Sequence, residues 1–351
     1  MIERGIWHDG IGGTTYPPTL GVLIAPLGWL PPSWAQWVVV EVSVLLVLIA
    51  AMQVSCVTSG RVPWEAAALA TLSFPSFFLA MGVGQNSALS LLIFVLGWSL
   101  LVRDHDILAG AVFGLFALKP TWGVAIAWIP AVVGRPRAYI GMALASATLV
   151  AVTLPVCGVQ AWFDWLKVAA QTEHYYHVLP RWAALSRDLP GLLRRFEQGS
   201  LIEFAGWAEI TLVLGITAWT WRARRTSRGL DATGPRAVTL LAGAILTCPR
   251  FMFYDMTLVV FPVLIGFAKW AQMTRMSRLV FAALVSMLWI GTGYSYVKWA
   301  MLGPPLDTFA LIGLWGWGVV QVHARQTPRK VEMRPVADRS GSESEMLAST
   351  V

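Results

Sequence analysis

Four short stretches of this sequence place polar or ionisable side chains at the ends of apolar runs. They are "YPP" at 16–18, "GQNS" at 84–87, "LKPTW" at 118–122 and "CPRFMFYDM" at 248–256. Polar groups within or at the edge of a membrane are costly, and there an ionisable residue marks a functional site by default. We therefore expect these four stretches to converge on one site, in which Lys119 is the leading candidate.

Lys119 stands at the carboxyl end of a short apolar run, directly before Pro120. A lysine cation can hold a phosphate group as a point charge, which an enzyme acting on a lipid phosphate requires. A structural role is the alternative, since the same side chain can bond the last carbonyl groups of its helix or extend to the membrane interface.

The stretch "PRFMFYD" interrupts the apolar pattern with Arg250, Tyr254 and Asp255. An arginine can bind phosphate through two parallel hydrogen bonds, and a carboxylate can accept a proton or a sugar hydroxyl. Arg250 is thus a second candidate for phosphate binding, and Asp255 is a candidate catalytic residue. The alternative is that Arg250 and Asp255 pair with each other at a helix break.

The stretch "GQNS" joins two apolar runs and carries two amide side chains, Gln85 and Asn86. Amides offer both donors and acceptors, so both residues are candidates to line a polar cavity. Capping of the following helix by Asn86 or Ser87 is the alternative. Capping explains Asn86 but not Gln85.

The histidines and cysteines predict no metal site. His174 and His177 lie beside Glu173 with the spacing of half a site, but no further ligands follow at a suitable spacing, so solvated loop histidines are favoured. The three cysteines are too few and too scattered for a disulfide framework. A G-x-x-x-x-G-K-[ST] phosphate loop is also missing, and we expect no metal or other cofactor.

The composition predicts a protein that crosses the membrane several times. Hydrophobic residues make up 56% of the chain and charged residues only 13%, and the mean hydropathy is +0.62. The apolar runs predict an all-helical bundle of about 11 membrane segments, some short or broken. We expect a single membrane domain at 1–322, followed by a disordered tail at 323–351.

The lysines and arginines predict the orientation and argue against a nucleic-acid partner. They are dispersed in short loops, which the rule of positive cytoplasmic loops explains without a polyanion. The strongest block, "RARRTSRGLDATGPR" at 222–236, predicts a cytoplasmic loop and a cytoplasmic carboxyl terminus. The four candidate stretches then lie on the outer face of the membrane.

The loop at 158–200 also falls on the outer face in this orientation. Its first part interleaves aromatic and charged residues, which predicts an interfacial amphipathic helix and a structured turn. In "SRDLPGLLRRF", Ser186 is the predicted N-cap of a second short helix, with Pro190 early in it.

The stretch "TTYPPTLGVLIAPLGWLPP" at 14–32 is too short to cross a bilayer and is bounded by prolines. We predict a short helix at the outer face, anchored by Tyr16. Since a preceding span is the natural way to carry the amino terminus outward, we also expect one further helix upstream.

The chain resembles glycosyltransferase family 87, a group of polytopic GT-C-type bacterial enzymes that includes polyprenyl-phosphate-mannose-dependent mannosyltransferases. The resemblance extends from about residue 14 to residue 322. The segments that carry it, in this order, are "YPPTLGVLIAPLGWLPPSWAQWVVV", "GQNSALSLLIFVLGWSLLVRDHDILAGAVFGLFALKPTWGVAI" and "CPRFMFYDMTLVVFPVL".

This resemblance implies an inner-membrane enzyme that moves a sugar, a hexose such as mannose, from a polyprenyl-phosphate carrier to a lipid or glycan acceptor on the outer face. Lys119, and with it Arg250, would face the carrier phosphate. The residues implied to line the cavity are Tyr16, Gln85, Asn86 and Tyr254, and Asp255 would lie with Tyr254 on the acceptor side.

The chain departs from the family pattern at two places. The family's acidic residue after the first helix is expected before "GIWHDGIGGTTYPP", and Asp9 matches only a later position of that loop. A histidine often stands in the family where this chain has Phe253-Tyr254-Asp255. Asp255 and Asp9 are therefore the candidate catalytic residues.

Two other functions compete with the transferase. A transporter or lipid-carrier flippase would explain the broken helices, although the two halves of the sequence show no convincing repeat. An amino-terminally truncated, inactive member of the family would explain the missing acidic residue.

Overall fold

The computed structural model describes residues 16–178, 185–195, 199–222, 230–298 and 305–324. Within these ranges the chain is helical and has no strand beyond one isolated bridge between Ser186 and Met252. The prediction of an all-helical fold is confirmed. Asp9 and the predicted tail from residue 325 onward lie outside the described residues.

The α-helices are, in chain order, α1 (Pro18–Ile24), α2 (Pro32–Val57), α3 (Trp64–Leu72), α4 (Pro75–Gly82), α5 (Ser87–Val102), α6 (Asp106–Gly114), α7 (Pro120–Ala127), α8 (Ile129–Val133), α9 (Ala138–Val178), α10 (Leu189–Arg194), α11 (Ser200–Arg222), α12 (Pro235–Leu246), α13 (Val260–Phe267), α14 (Arg275–Lys298) and α15 (Leu306–Ala324). Short 3₁₀ helices lie at Ala25–Trp29, Leu115–Leu118, Phe253–Val259 and Trp270–Gln272.

Four described helices are long and apolar enough to cross a membrane: α2, most of α9, α11 and most of α14. A fifth crossing results if α3 and α4, which are bent by 58° at their junction, count as one broken span. Other apolar helices are shorter: Asp106–Leu118, Pro120–Val133 and Pro235–Leu246 agree with the short segments predicted, whereas Ser87–Val102 and Phe253–Phe267 are shorter than the crossings predicted there. The protein is therefore a membrane protein, but the count of about 11 crossings is not confirmed.

Small residues bring α6 and α9 into close contact. A Cβ atom added at Gly110 would lie 1.8 Å from the backbone oxygen of Ala138, and one at Gly141 would lie 1.9 Å from the oxygen of Ile107. Gly114, four residues after Gly110, approaches Met142 in the same way. This spacing is the small-xxx-small pattern by which membrane helices pack backbone to backbone.

Helix α12 is the centre of the bundle, since every one of its residues is buried. A helix that is buried on all sides needs neighbours on all sides, and α11, α13 and α15 supply them. The chain that leaves α12 at Thr247 enters the stretch 248–256, which therefore lies deep among other elements.

Helices α5 and α6, which pack against each other across a short turn, define two ends of the bundle. Helix α5 begins at Ser87 and ends beside Arg103, and the chain returns through α6 to Lys119. We call the end that holds Ser87 and Lys119 the site end. At the opposite end, Arg135 forms ion pairs with Asp104 and Asp106.

The 158–200 loop differs in part from its prediction. Its first part is helical as far as Val178, but it continues α9 across a kink at Gly158, whose φ of 74° favours glycine. The second short helix is α10, and Pro190 stands early in it as predicted. The prediction that Ser186 caps it is wrong: the N-cap is Asp188, whose carboxylate accepts a hydrogen bond from Gly191 N.

Candidate active site

A buried ion pair joins Lys119 to Asp255 at the site end. Lys119 Nζ lies 2.5 Å from Asp255 Oδ1, and the two residues expose only 7% and 1% of their surfaces. Little water reaches the pair, so its electrostatic attraction is much less screened than that of a surface pair. Asp255 therefore forms its ion pair with Lys119 and not, as the alternative predicted, with Arg250.

Local sequence explains how Lys119 is held. Pro120 begins α7 and disfavours helical geometry in the residue before it, and Lys119 accordingly has φ −144° and ψ 78°. The chain thus breaks between the 3₁₀ helix Leu115–Leu118 and α7, and the lysine stands at the break. Its side chain turns to Asp255, and its ammonium group also lies 5.3 Å from the centre of the Tyr254 ring, within cation–π range.

Asp255 lies in the first turn of the 3₁₀ helix Phe253–Val259. Its Oδ1 atom accepts hydrogen bonds from Lys119 Nζ and, at 3.2 Å, from Ser87 Oγ. Its Oδ2 atom is buried and has no hydrogen-bond partner among the described residues. One oxygen of this carboxylate is therefore fully engaged, and the other is available to a ligand.

Two serines hold this stretch in place: Ser76, for which the sequence indicated no role, and Ser87, which was considered only as a helix cap and is not the N-cap residue. Ser76 Oγ is within hydrogen-bond distance of the carbonyl oxygens of Phe253 and Tyr254, at 3.0 and 2.9 Å, and accepts a hydrogen bond from Thr257 N at 3.0 Å. Ser87 Oγ lies 3.0 Å from the same Tyr254 oxygen. The available signals were the position of Ser76 beside the helix-breaking Pro75 and the place of Ser87 in "GQNS".

The amide residues of "GQNS" reach the same place. The Tyr16 hydroxyl donates a hydrogen bond to Gln85 Oε1. Asn86 is the N-cap residue of α5, but its side chain makes no capping bond, and its buried Oδ1 has no partner among the described residues. The structure therefore does not support side-chain capping as the role of Asn86.

A third polar atom without a partner lies near the pair. Trp122 is fully buried in the first turn of α7, its backbone N bonds Lys119 O, and its ring packs edge-on against Phe251 at 5.6 Å. Its Nε1 has no partner in the described chain. With Asn86 and Asp255, the neighbourhood thus holds one unsatisfied donor and two unsatisfied acceptors, which is a pattern that a ligand with hydroxyl groups can satisfy.

Residues 185–195 pack against the other side of the 248–256 stretch, which was not predicted. Ser186 forms the isolated bridge with Met252, and Arg187 N donates to Phe251 O at 2.6 Å. Asp188 Oδ2 accepts a hydrogen bond from Phe251 N at 3.2 Å. The loop that follows α9 is therefore attached directly to the site.

Burial perturbs two ionisable groups of this segment. It raises the pKa of Asp188, and the hydrogen bonds from Ser186 and from the backbone N of Gly191 and Phe251 offset that rise only in part. Burial, followed by the nearby Arg187 cation, lowers the pKa of Arg195 to about 10. Arg194 forms a bidentate ion pair with Glu203, at 2.6 and 2.8 Å.

The remaining candidates are not members of the buried pair. Arg250 is half-buried in the stretch 248–256. The side chains of Glu173, His174 and His177 lie outside the described residues, and within the part that is described no three His, Cys, Asp or Glu side chains group together. An open groove of about 690 Å³ runs along α11 from Phe204 to Trp219, and it contains no member of the site.

These features define a class: an all-helical membrane protein with a buried ionic site where several broken helices meet. The chain matches glycosyltransferase family 87 over residues 15–253 and belongs to that family. It is thus a member of a family of membrane glycosyltransferases. The match includes Tyr16, Gln85, Asn86 and Lys119, and it ends two positions before Asp255.

No curated protein matches the chain. No solved structure matches it either.

Proposed function

We propose that this protein is a GT-C-type transferase that moves a sugar, a hexose such as mannose, from a polyprenyl-phosphate carrier to a lipid or glycan acceptor. The observation that carries the proposal is the buried Lys119–Asp255 pair, which lies among unsatisfied polar atoms. Family membership supplies the reaction class, and the pair supplies a cation and a carboxylate at one point.

The proposal assigns the donor phosphate to Lys119. A buried cation stabilises an anion far better than a solvated one, and a phosphate leaving group gains charge as its bond to the sugar breaks. Lys119 stands where the chain between two apolar helices turns, so a carrier whose lipid tail lies in the membrane can bring its phosphate to it. Arg250 is the second proposed phosphate ligand.

The sugar and the acceptor occupy the polar groups around the pair. Asn86 Oδ1 and Trp122 Nε1 are an acceptor and a donor for sugar hydroxyl groups. Tyr16, Gln85 and Tyr254 complete the lining, and Asp255 faces the acceptor.

We further propose that the site end faces the outside of the inner (plasma) membrane. At the opposite end Arg135 bonds to the start of α6, and Arg236 stacks on Trp221. Arg278 bonds the backbone of residues 270–273 at that same end. Arginines in the short loops of that end, which include the block at 222–236, mark the cytoplasmic side, and the end of α15 and the residues after it then lie in the cytoplasm.

The test is a transfer assay with the full chain in nanodiscs. Polyprenyl-phosphate-linked mannose, glucose and arabinose, each radiolabelled, are supplied together with a membrane lipid extract. We expect label to move from one donor to an extractable lipid or glycan. Failure with all three donors contradicts the transferase, and movement of the carrier across the bilayer without sugar transfer favours a flippase instead.

A further inference from the structure

We propose that the donor phosphate competes with Asp255 for Lys119, and that donor binding thereby releases Asp255 to act as the general base. This inference rests on the proposed function. It adds an order of events and a role for the Asp255 carboxylate that neither the family nor the assignment of Lys119 to the phosphate implies.

Electrostatic repulsion sets the donor phosphate against Asp255. The Lys119 cation is already neutralised by a carboxylate at 2.5 Å, and both groups are buried. A phosphate that reaches the same ammonium group places a second negative charge close to Asp255 in a poorly screened environment. The two anions repel each other, so the phosphate must weaken the Lys119–Asp255 contact in order to bind.

Asp255 stays in position when Lys119 turns away from it toward the phosphate. Ser87 Oγ donates to the same Oδ1 atom at 3.2 Å, and it comes from α5, a different element from Lys119. Ser76 contacts the backbone on both sides of Asp255: its hydroxyl lies at the Phe253 and Tyr254 carbonyl groups before it and accepts a hydrogen bond from Thr257 N after it. The carboxylate therefore keeps its place and loses only its counter-charge.

The Oδ2 atom of Asp255 is available to accept a proton from the acceptor. This oxygen is buried and has no partner among the described residues, although a buried carboxylate oxygen normally accepts at least one hydrogen bond. A hydroxyl group of the acceptor is a donor that this atom can accept from. Once the phosphate contacts Lys119, the cation that neutralised this carboxylate is shared with another anion.

The resulting step is balanced. The acceptor hydroxyl gives its proton to Asp255 Oδ2 while its oxygen forms a bond to the anomeric carbon of the sugar. The bond between that carbon and the phosphate oxygen breaks, and its electron pair leaves with the polyprenyl phosphate, whose charge Lys119 stabilises. The base thus becomes active only when a donor is bound, so the donor binds before the acceptor.

The experiment measures binding and turnover separately, with polyprenyl phosphate as the binding probe. In nanodiscs, Asp255→Asn is expected to bind polyprenyl phosphate at least about tenfold more tightly than the wild type, because a neighbouring charge is removed, and to lose sugar transfer. Lys119→Met is expected to lose both the binding of polyprenyl phosphate and sugar transfer. Asp164→Asn, which removes an exposed carboxylate that also pairs with a lysine, is the matched control and should change neither.

The outcomes separate this inference from the proposed function. If Asp255→Asn binds polyprenyl phosphate as weakly as the wild type or more weakly, while the wild type transfers sugar, competition is wrong and the transferase stands. If the wild type neither binds the probe nor transfers from any donor, the proposed function itself fails. A purely structural Asp255 would weaken binding and turnover together.

Wild-type kinetics give a second test that does not depend on the folding of a variant. With both substrates varied, initial rates are expected to show donor bound before acceptor, with polyprenyl phosphate competitive against the donor alone. Acceptor-first or random binding overturns the inference. Ser87→Ala adds a check, since it should lower kcat about tenfold or more while probe binding stays within about twofold.

Discussion

Arg187 Nε lies 2.7 Å from Asp307 Oδ2, and the two residues, which expose 3% and 0% of their surfaces, connect the 185–195 segment to the start of α15. Arg187 also bonds Phe251 O through its backbone N. The pair therefore clamps the segment that carries Asp255 between a loop and a helix, and its effect should reach the site.

Breaking this pair is expected to destabilise the protein. Arg187→Met takes the ion-pair partner from the fully buried Asp307, and breaking a buried pair costs about 3–5 kcal/mol in comparable cases. A thermal unfolding series in detergent measures the loss, and transfer should fall with it as the stretch 248–256 moves. Arg187→Met combined with Asp307→Leu should recover much of the stability, since neither charge remains.

Asp104→Asn is the control for that series. It removes one of the two carboxylates that pair with Arg135, at a surface where the Asp104 side chain is 65% exposed. Exposed pairs contribute little, so its unfolding curve should overlay that of the wild type. Equal losses in the two variants would mean that burial does not decide the strength of these pairs.

Lys119→Met is expected to lower the rate of sugar transfer by at least about a hundredfold, because a preorganised charge at a leaving group contributes that much in other enzymes. Removing Lys119 leaves Asp255 buried without its cation, which is expected to lower stability as well. Transfer is therefore measured below the thermal midpoint, on protein whose size-exclusion profile and helix content match those of the wild type. Lys167→Met, whose side chain is 70% exposed, provides the matched control and should retain full activity. Unchanged turnover in Lys119→Met would remove Lys119 from the donor site.

Ser76→Ala is expected to cost about 1–3 kcal/mol, since it leaves buried backbone groups around Asp255 unsatisfied. Ser73, three residues earlier at the end of α3, is exposed and its hydroxyl bonds Ala70 O at a marginal 3.4 Å, so Ser73→Ala should have no measurable effect. Thermal unfolding and transfer rate are compared for the two. Matching stabilities would show that the Ser76 hydroxyl does not support the site segment.

Gly110→Ala tests the contact between α6 and α9. The added methyl group meets backbone, which cannot turn aside, so we expect a loss of about 1–3 kcal/mol or more. In α11, a Cβ at Gly215 meets nothing within 4 Å, and Gly215→Ala should be neutral or stabilise by up to about 1 kcal/mol through helix propensity. A neutral Gly110→Ala would show that the two helices can separate at no cost.

The raised pKa of Asp188 predicts a pH effect with a definite sign. The folded protein holds this proton more tightly than the unfolded chain does, so the free energy of unfolding falls as pH rises from the ordinary carboxyl value of 3.8 through the raised pKa. The Asp188→Asn variant should lack this pH-dependent contribution to the free energy of unfolding.

The measurement is the thermal midpoint between about pH 4 and pH 7 for both proteins. Asp231→Asn, whose side chain is 51% exposed, serves as the control and should follow the wild type. Parallel curves for the wild type and Asp188→Asn would contradict the predicted role of burial.

Local features of this protein were predictable because their causes are local. Apolar runs form helices in a membrane whatever lies beside them, since every backbone group must be bonded internally. Pro120 breaks the chain at Lys119 without help from other segments, and Pro190 stands early in a short helix because proline is tolerated in a first helical turn. The family match likewise depends only on the order of residues along the chain.

Choices among neighbours of similar chemistry required the tertiary structure. Asp188 and Ser186 are both good N-caps, and only the path of the chain against Phe251 selected Asp188. Ser76 is an ordinary serine in an apolar sequence until α4 packs beside Tyr254.

The pairing of charges was the largest of these choices. By itself the sequence determined a helical membrane protein with a cation at a helix break and a carboxylate in an interrupted stretch. Arg250 and Asp255 are close in sequence, yet Asp255 pairs with Lys119, 136 positions away. Only the packing of α5, α7 and the 3₁₀ helix Phe253–Val259 decided this, because an ion pair depends on distances in space, which the spacing of residues along a chain does not specify.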